Sequence, residues 1–180
     1  SHVDDNVPED NHGHGTHVAG IAAADKDSSG MHGIAYNSRI YPVKMMDPYG
    51  TYWNASAWAF YRTISFDIDI VNMSWGPFHE TEIGSNGTYS CNSESNCESW
   101  IDNYRGEEYF YDYLEYMSTY DDIIQVWAAG NDSLDNPQIY GGSCIYDNER
   151  KELCVIVAAL GTDGKIASYS NKCGVASNHC

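Results

Sequence analysis

Basic residues are scarce in this chain. Nine Lys and Arg stand against 26 Asp and Glu in 180 residues, a formal net charge of −17 with His neutral. A surface of that sign repels phosphate, which excludes nucleic acid as a partner class. The same carboxylates suit a solvated, non-adhesive surface, and they could also supply oxygen ligands to structural calcium. No apolar run approaches the ~20 residues that a membrane-crossing helix requires, so no transmembrane segment is expected. Cys-x-x-Cys is absent, which removes the simplest zinc-ribbon and thioredoxin-type redox readings. Internal repeats are absent too. The chain opens at Ser1-His2 with no initiator Met, so the expectation is a removed leader or a piece of something longer.

What is present suits a globular protein. The length is comfortable for one domain over 1–180 with a real core. Six cysteines fall as three close pairs: Cys91 with Cys97, Cys144 with Cys154, Cys173 with Cys180. Three short-range disulfides are the simplest account, and they imply an oxidising, extracytoplasmic compartment. Reduced, buried thiols are the alternative.

Apolar patterning alternates between helix and strand. Thr16 to Ala24 reads as a short buried helix, closed by a polar turn at 25–30. Residues 39–46, "RIYPVKMM", read as a strand, and Asn54 as the N-cap of a helix running to Ile64. "DIVNMSWG" at 69–76 is a second strand. The polar 78–120 stretch reads as an extended insertion, with an aromatic-rich helix from Tyr104 to Tyr120. "IIQVWAAGN" at 123–131 and "LCVIVAAL" at 153–160 are nearly continuous apolar runs, the pattern of strands covered on both faces. Strands joined by helical crossovers give an α/β fold, in which ligands bind beyond the carboxyl ends of the strands. "SWG" and "AAGN" stand at such ends.

Two chemistries compete for "NHGHGTHVAG" at 11–20. As a metal cage, His12, His14 and His17 resemble the H-x-H-x-D-H zinc pattern of metallo-β-lactamase-like hydrolases, with Thr16 where the aspartate would stand. Zinc chemistry needs further ligands and support behind them. As a proton carrier, an imidazole just before an Ala- and Gly-rich helix is held rigidly enough to serve a nucleophile. A third element is Asn131, after Ala128-Ala129-Gly130. An amide NH₂ at the end of a buried strand donates to a developing oxyanion without adding charge.

"HGTHVAGIAA", "VNMSWG", "AAGND" and "ASYSN", in this order, resemble segments of the subtilisin-like serine protease family. "GIAYNSRIYPVKMMD" resembles that family's lead into its third sheet strand. The end, "YSNKCGVASNHC", resembles secreted bacterial members, including those carried by autotransporters. The resemblance implies a mostly parallel sheet sandwiched by helices, here incomplete at both ends. It implies a serine endopeptidase that needs no cofactor and acts on a peptide or protein substrate outside the cytoplasm. By position, His14 would be the general base and Asn131 the oxyanion donor. Ser74, Trp75 and Gly76 would form the edge on which an extended peptide pairs its backbone. Ala129 and Gly130 would line the pocket for the residue preceding the scissile bond, and Trp75 would narrow a neighbouring apolar subsite. His12 and His17 would be supporting residues.

The triad of that family runs Asp, His, Ser along the chain. Asp4, Asp5 and Asp10 follow no strand and precede no Ser/Thr-Gly turn, so none is expected to be the triad acid. Gly-Thr-Ser-x-Ala-x-Pro occurs nowhere, and Ser143 in "GGSC" is its nearest imitation. The expectation is that flanking segments of the same protein supply both residues and that the 180-residue chain alone is inert. The family's Asp-bearing strand lies between the strands at 39–46 and 69–74. Without it a buried sheet keeps unpaired backbone, so these residues are not expected to fold stably alone in the family arrangement. A non-catalytic peptide-binding module that keeps the "SWG" edge is the alternative from another class.

Overall fold

The computed structural model describes residues 9–44, 46–47, 50–51, 67–76, 122–148 and 150–180, together with 91, 93, 95, 97 and 99. They belong to two compact units, Ser1–Ala59 and Phe60–Cys180. The expected helix from Asn54, most of the 78–120 insertion, and Asp4 and Asp5 lie outside the described residues.

In the first unit, helix α1 spans His14–Ala23. It starts two residues earlier than the alanine pattern suggests, because Gly13 takes the N-cap position at φ 88°, a conformation that glycine adopts without steric cost. No residue of α1 is buried, contrary to the expectation of a buried helix. The chain then doubles back. Ile34 and Ala35 donate their backbone N–H groups to the carbonyls of Ile21 and Ala22 at 3.2 and 2.8 Å, which satisfies acceptors left open at the helix end. Strand β1, Met46–Asp47, pairs antiparallel with β2, Gly50–Thr51. Among the described residues, the strand expected over 39–46 is therefore realised at its last position, Met46, and not over 39–44. Pro42 has no N–H to give a ladder, and Arg39 to Pro42 are exposed.

The second unit is built on a parallel sheet of β3 (Ile70–Met73), β4 (Ile124–Ala128) and β5 (Cys154–Val157), in the order β3-β4-β5. Met73 pairs with Trp127, and Trp127 with Ile156. That register stacks Met73, Trp127 and Ile156 on one face, all buried. The opposite face is open: Ile70 is 59%, Val155 42% and Val157 51% exposed. The continuous apolar runs suggested strands covered on both faces. Among the described residues the strands instead show period-2 burial, with helix α2 (Ile139–Cys144) and a C-terminal 3-10 turn (Gly174–His179) packed on the Trp127 side.

Helix α2 is wholly buried. Its Tyr140 ring lies 6.2 Å from that of Trp127. The 3-10 turn brings Ala176 against Ala129 and Ile156. Disulfides join Cys91–Cys97, Cys144–Cys154 and Cys173–Cys180, the three sequence-neighbour pairs. The second of them ties the end of α2 to the start of β5. Beneath the sheet lies Arg150, fully buried, with its guanidinium 3.8 Å from the Asp147 carboxylate and 3.5 Å from Gln125 Oε1. A charge so placed needs those partners, since desolvation without them is costly.

Candidate functional site

Strands β4 and β5 run parallel, so their carboxyl ends open on the same edge of the sheet. Pairing persists one step beyond β4, where Ala129 N–H donates to Val157 O at 2.9 Å. The two chains then part, β4 turning away at Gly130 (φ 113°). A cavity of about 150 Å³ lies between them, lined by Ala128, Ala129, Gly130 and Asn131 on one side and by Val157, Ala158, Ala159 and Ser170 on the other. Ala129 and Gly130 thus wall a cavity, and Asn131 stands exposed on the same wall. The small side chains leave the space; bulkier ones would fill it.

Ser74, Trp75 and Gly76 continue from the end of β3. The Ser74 hydroxyl accepts from Asn72 Nδ2 at 2.8 Å. Trp75 does not line the cavity. Its ring packs at 5.7 Å from that of Trp127 and 5.4 Å from that of Tyr140, an aromatic cluster that fixes the β3 end to the packed face. Gln138, which no sequence motif singles out, links these ends. Its Nε2 donates to Ala128 O at 3.2 Å and reaches Trp75 O at 3.5 Å, while its Oε1 accepts from Tyr140 N–H at the start of α2.

His14 belongs to the first unit, as the first residue of α1, and its side chain is exposed. The His12 and His14 rings meet edge to face at 6.3 Å. Among the described residues, no three His, Cys, Asp or Glu side chains gather as a metal-holding group. What organises this segment is Asp10. Its carboxylate accepts from the backbone N–H groups of Thr16 at 2.8 Å, Gly13 at 2.7 Å and His12 at 3.0 Å. These bonds wrap the turn on both sides of His14 and satisfy donors at the helix start. They hold the Asp10 carboxyl well below the usual carboxylate range, the Thr16 N–H contributing most and the Gly13 N–H next.

A pH-dependent stability follows. Asp10 is charged in the folded state well below the pH at which it protonates in an unfolded chain. Its contribution is therefore present in full above the ordinary carboxyl pKa and declines as pH falls below about 4. Asp10→Ala is expected to lower the thermal midpoint at pH 7 and to lower it less at pH 3. Equal losses at both pH values would show that the carboxylate charge is not involved.

The Subtilase family model matches residues 1–179. The chain belongs to the subtilase family. Over 63 residues it is 46% identical to an extracellular serine protease of Serratia marcescens, covering 35% of this chain and 6% of that protein. Over 76 residues it is 42% identical to a subtilisin of Bacillus pumilus, covering 39% of this chain and 26% of that one. Subtilisin E of Bacillus subtilis matches at 41% over 76 residues, 39% of this chain and 19% of the relative. The prenylagaramide maturation protease PagA shares the fold, with a TM-score of 0.58 at 19% identity over 92% of this chain and 49% of that structure. The chain thus spans about a quarter or less of these curated relatives and about half of the solved one.

Within this subtilase chain, Ser143 is no surface nucleophile. It is fully buried in α2, and its hydroxyl donates to Tyr140 O at 3.0 Å. Asp10 is a capping carboxylate. Gln138 and Asn171 are buried hydrogen-bonding side chains beside this cavity that sequence reasoning missed. Asn171 carried a signal all the same, as the last residue of "ASYSN", a segment that marks the family without revealing what it does.

Proposed function

We propose that this subtilase chain is the central part of a secreted serine endopeptidase domain, with His14 as general base and Asn131 as oxyanion donor. Supporting it is Asn131 on the wall of the cavity where β4 and β5 part, in a chain that matches the subtilase family from 1 to 179. A serine hydroxyl outside this chain attacks the peptide carbonyl carbon and passes its proton to His14. The tetrahedral oxyanion takes a hydrogen bond from Asn131 Nδ2. The C–N bond then breaks, the imidazolium protonates the leaving amine, and water releases the acyl group by the same route in reverse. An aspartate, also from a flanking segment, orients the imidazole. The Ser74–Gly76 edge pairs with the substrate backbone, and the small walls at Ala129 and Gly130 receive the side chain preceding the scissile bond. Secretion agrees with three disulfides and with relatives named as extracellular proteases.

The test uses the full-length protein. A serine-directed organophosphonate should abolish peptide hydrolysis and add one equivalent covalently, at a serine outside these 180 residues. The isolated chain should neither hydrolyse peptide nor take up the reagent. Unchanged turnover in the presence of the reagent would overturn the reading, and peptide affinity with no hydrolysis would favour a binding module.

A further inference from the structure

We propose that Asn171 is a positioning residue for the turn that presents Asn131, an inference that rests on the oxyanion-donor reading above. The turn begins at Gly130, and Asn131, Asp132 and Ser133 are all exposed. Ser133 ties its far side to the chain before Asn171, its N–H donating to Tyr169 O at 3.0 Å and its hydroxyl to Ser168 O at 2.8 Å. The residue that bonds on both sides of Asn131 is fully buried and comes from a distant part of the sequence. Asn171 Oδ1 accepts from Asp132 N–H at 2.8 Å and from Leu134 N–H at 3.1 Å. Asn171 N–H donates to Gly130 O at 2.9 Å. Three hydrogen bonds from a single residue thus fasten the backbone on both sides of Asn131. Two N–H donors converging on one side-chain atom also fix which end of the amide is oxygen.

The fit around Gly130 is equally tight. A Cβ there would lie 2.5 Å from Asn171 Nδ2 and 3.3 Å from Gln138 Cβ. The Asn171 amide and the Gln138 side chain therefore leave no room for a side chain at Gly130, and Gln138 N–H donates to Ala129 O at 2.7 Å just before it. The neighbour of Asn171 serves the other cavity wall, since Ser170 Oγ accepts from Ala159 N–H at 3.0 Å. One dipeptide, Ser170-Asn171, thereby spans the gap between the diverging ends of β4 and β5. "ASYSN" acquires a role from this placement, because it sets where the Asn131 amide stands relative to the cavity. Oxyanion donors act only when held in place before the charge forms.

A double-mutant cycle in the full-length protein tests this. Asn171→Ala should lower kcat by about ten- to a hundredfold with KM little changed, the scale of a displacement of roughly 1 Å at a reacting group. In an Asn131→Ala background, the same substitution should lower kcat by less than about threefold, because the group it positions is gone. Where Asn171→Ala fails to fold, the cycle is run with Asn171→Ser, whose hydroxyl keeps an acceptor in the site but sits too far back to serve both N–H groups. A loss of equal factor in both backgrounds, or no loss in either, overturns the proposal. If Asn131→Ala alone leaves kcat unchanged, the oxyanion reading itself has failed, an outcome separate from the other two.

Discussion

Replacing His14 with Ala in the full-length protein is expected to lower kcat about a millionfold and to leave KM within a small factor; the magnitude is that of a subtilisin triad histidine. Without a base, the serine hydroxyl must lose its proton to water as it attacks, and the leaving amine has no acid to protonate it. Both steps fail together, so the loss exceeds that of an ordinary general base, about 10²- to 10⁴-fold. KM holds because the imidazole contributes little to binding peptide in the ground state. Residual turnover survives at roughly 10³- to 10⁴-fold above water, from oxyanion stabilisation and binding alone. Steady-state kinetics on a peptide amide measure it. A variant that retains more than about a tenth of wild-type kcat would remove His14 from the role of general base.

His12 and His17 give the internal comparison. They neighbour the same helix start and are exposed, and Asp10 accepts from the N–H of His12 and from those of Gly13 and Thr16 around His14, while the His17 N–H donates to Gly13 O. Substituting either should therefore leave kcat within about tenfold if only His14 carries the proton.

The sheet was legible because its three strands are apolar enough to stand out, and "SWG" and "AAGN" fell at strand ends, as the α/β rule requires. Strand lengths were overestimated at the same ends, and for one reason. Ala129 to Asn131 are apolar or small, so they extend the run, but the backbone leaves the sheet at Gly130, where φ is positive. Residues 39–44 misled in the other direction: β-branched and aromatic side chains raised strand propensity, while Pro42 withheld the N–H that pairing needs. Helix α2 was invisible, being six residues long with Gly141 and Gly142 at its centre. Glycines weaken a helix by intrinsic preference, and this one is held by burial and by the Gln138 cap instead.

The site was half legible. His14 and Asn131 came from motif resemblance, which carries residue type and order. Their supports did not, because Asp10, Gln138 and Asn171 act through backbone groups that no side-chain pattern reports. Asn171 lies 39 residues from Asp132 along the chain and 37 from Leu134. The parallel pairing of β4 and β5, with the chain turning back after β5 at the Leu160–Ile166 bridge, brings them together. Long-range hydrogen bonds of this kind follow from topology, and topology follows from strand order.

Asn131→Ala is expected to lower kcat by about 10²- to 10³-fold with KM nearly constant, a magnitude drawn from a subtilisin oxyanion donor. The constancy of KM is the discriminating part. A ground-state carbonyl oxygen carries little charge and gains little from the amide, whereas the tetrahedral oxyanion carries a full charge. The bond therefore strengthens along the reaction, and its removal falls on kcat. Asn131→Asp sharpens the contrast. The side chain keeps its shape but exchanges a donor for a negative charge facing the developing oxyanion, so repulsion adds to the lost bond and kcat should fall below that of the Ala variant. If Asn131 merely shaped the exposed turn, the isosteric Asp would be the milder change and the ranking would reverse. The order of the two variants, read from kcat on one amide substrate, separates electrostatic catalysis from a structural role without any appeal to absolute rates.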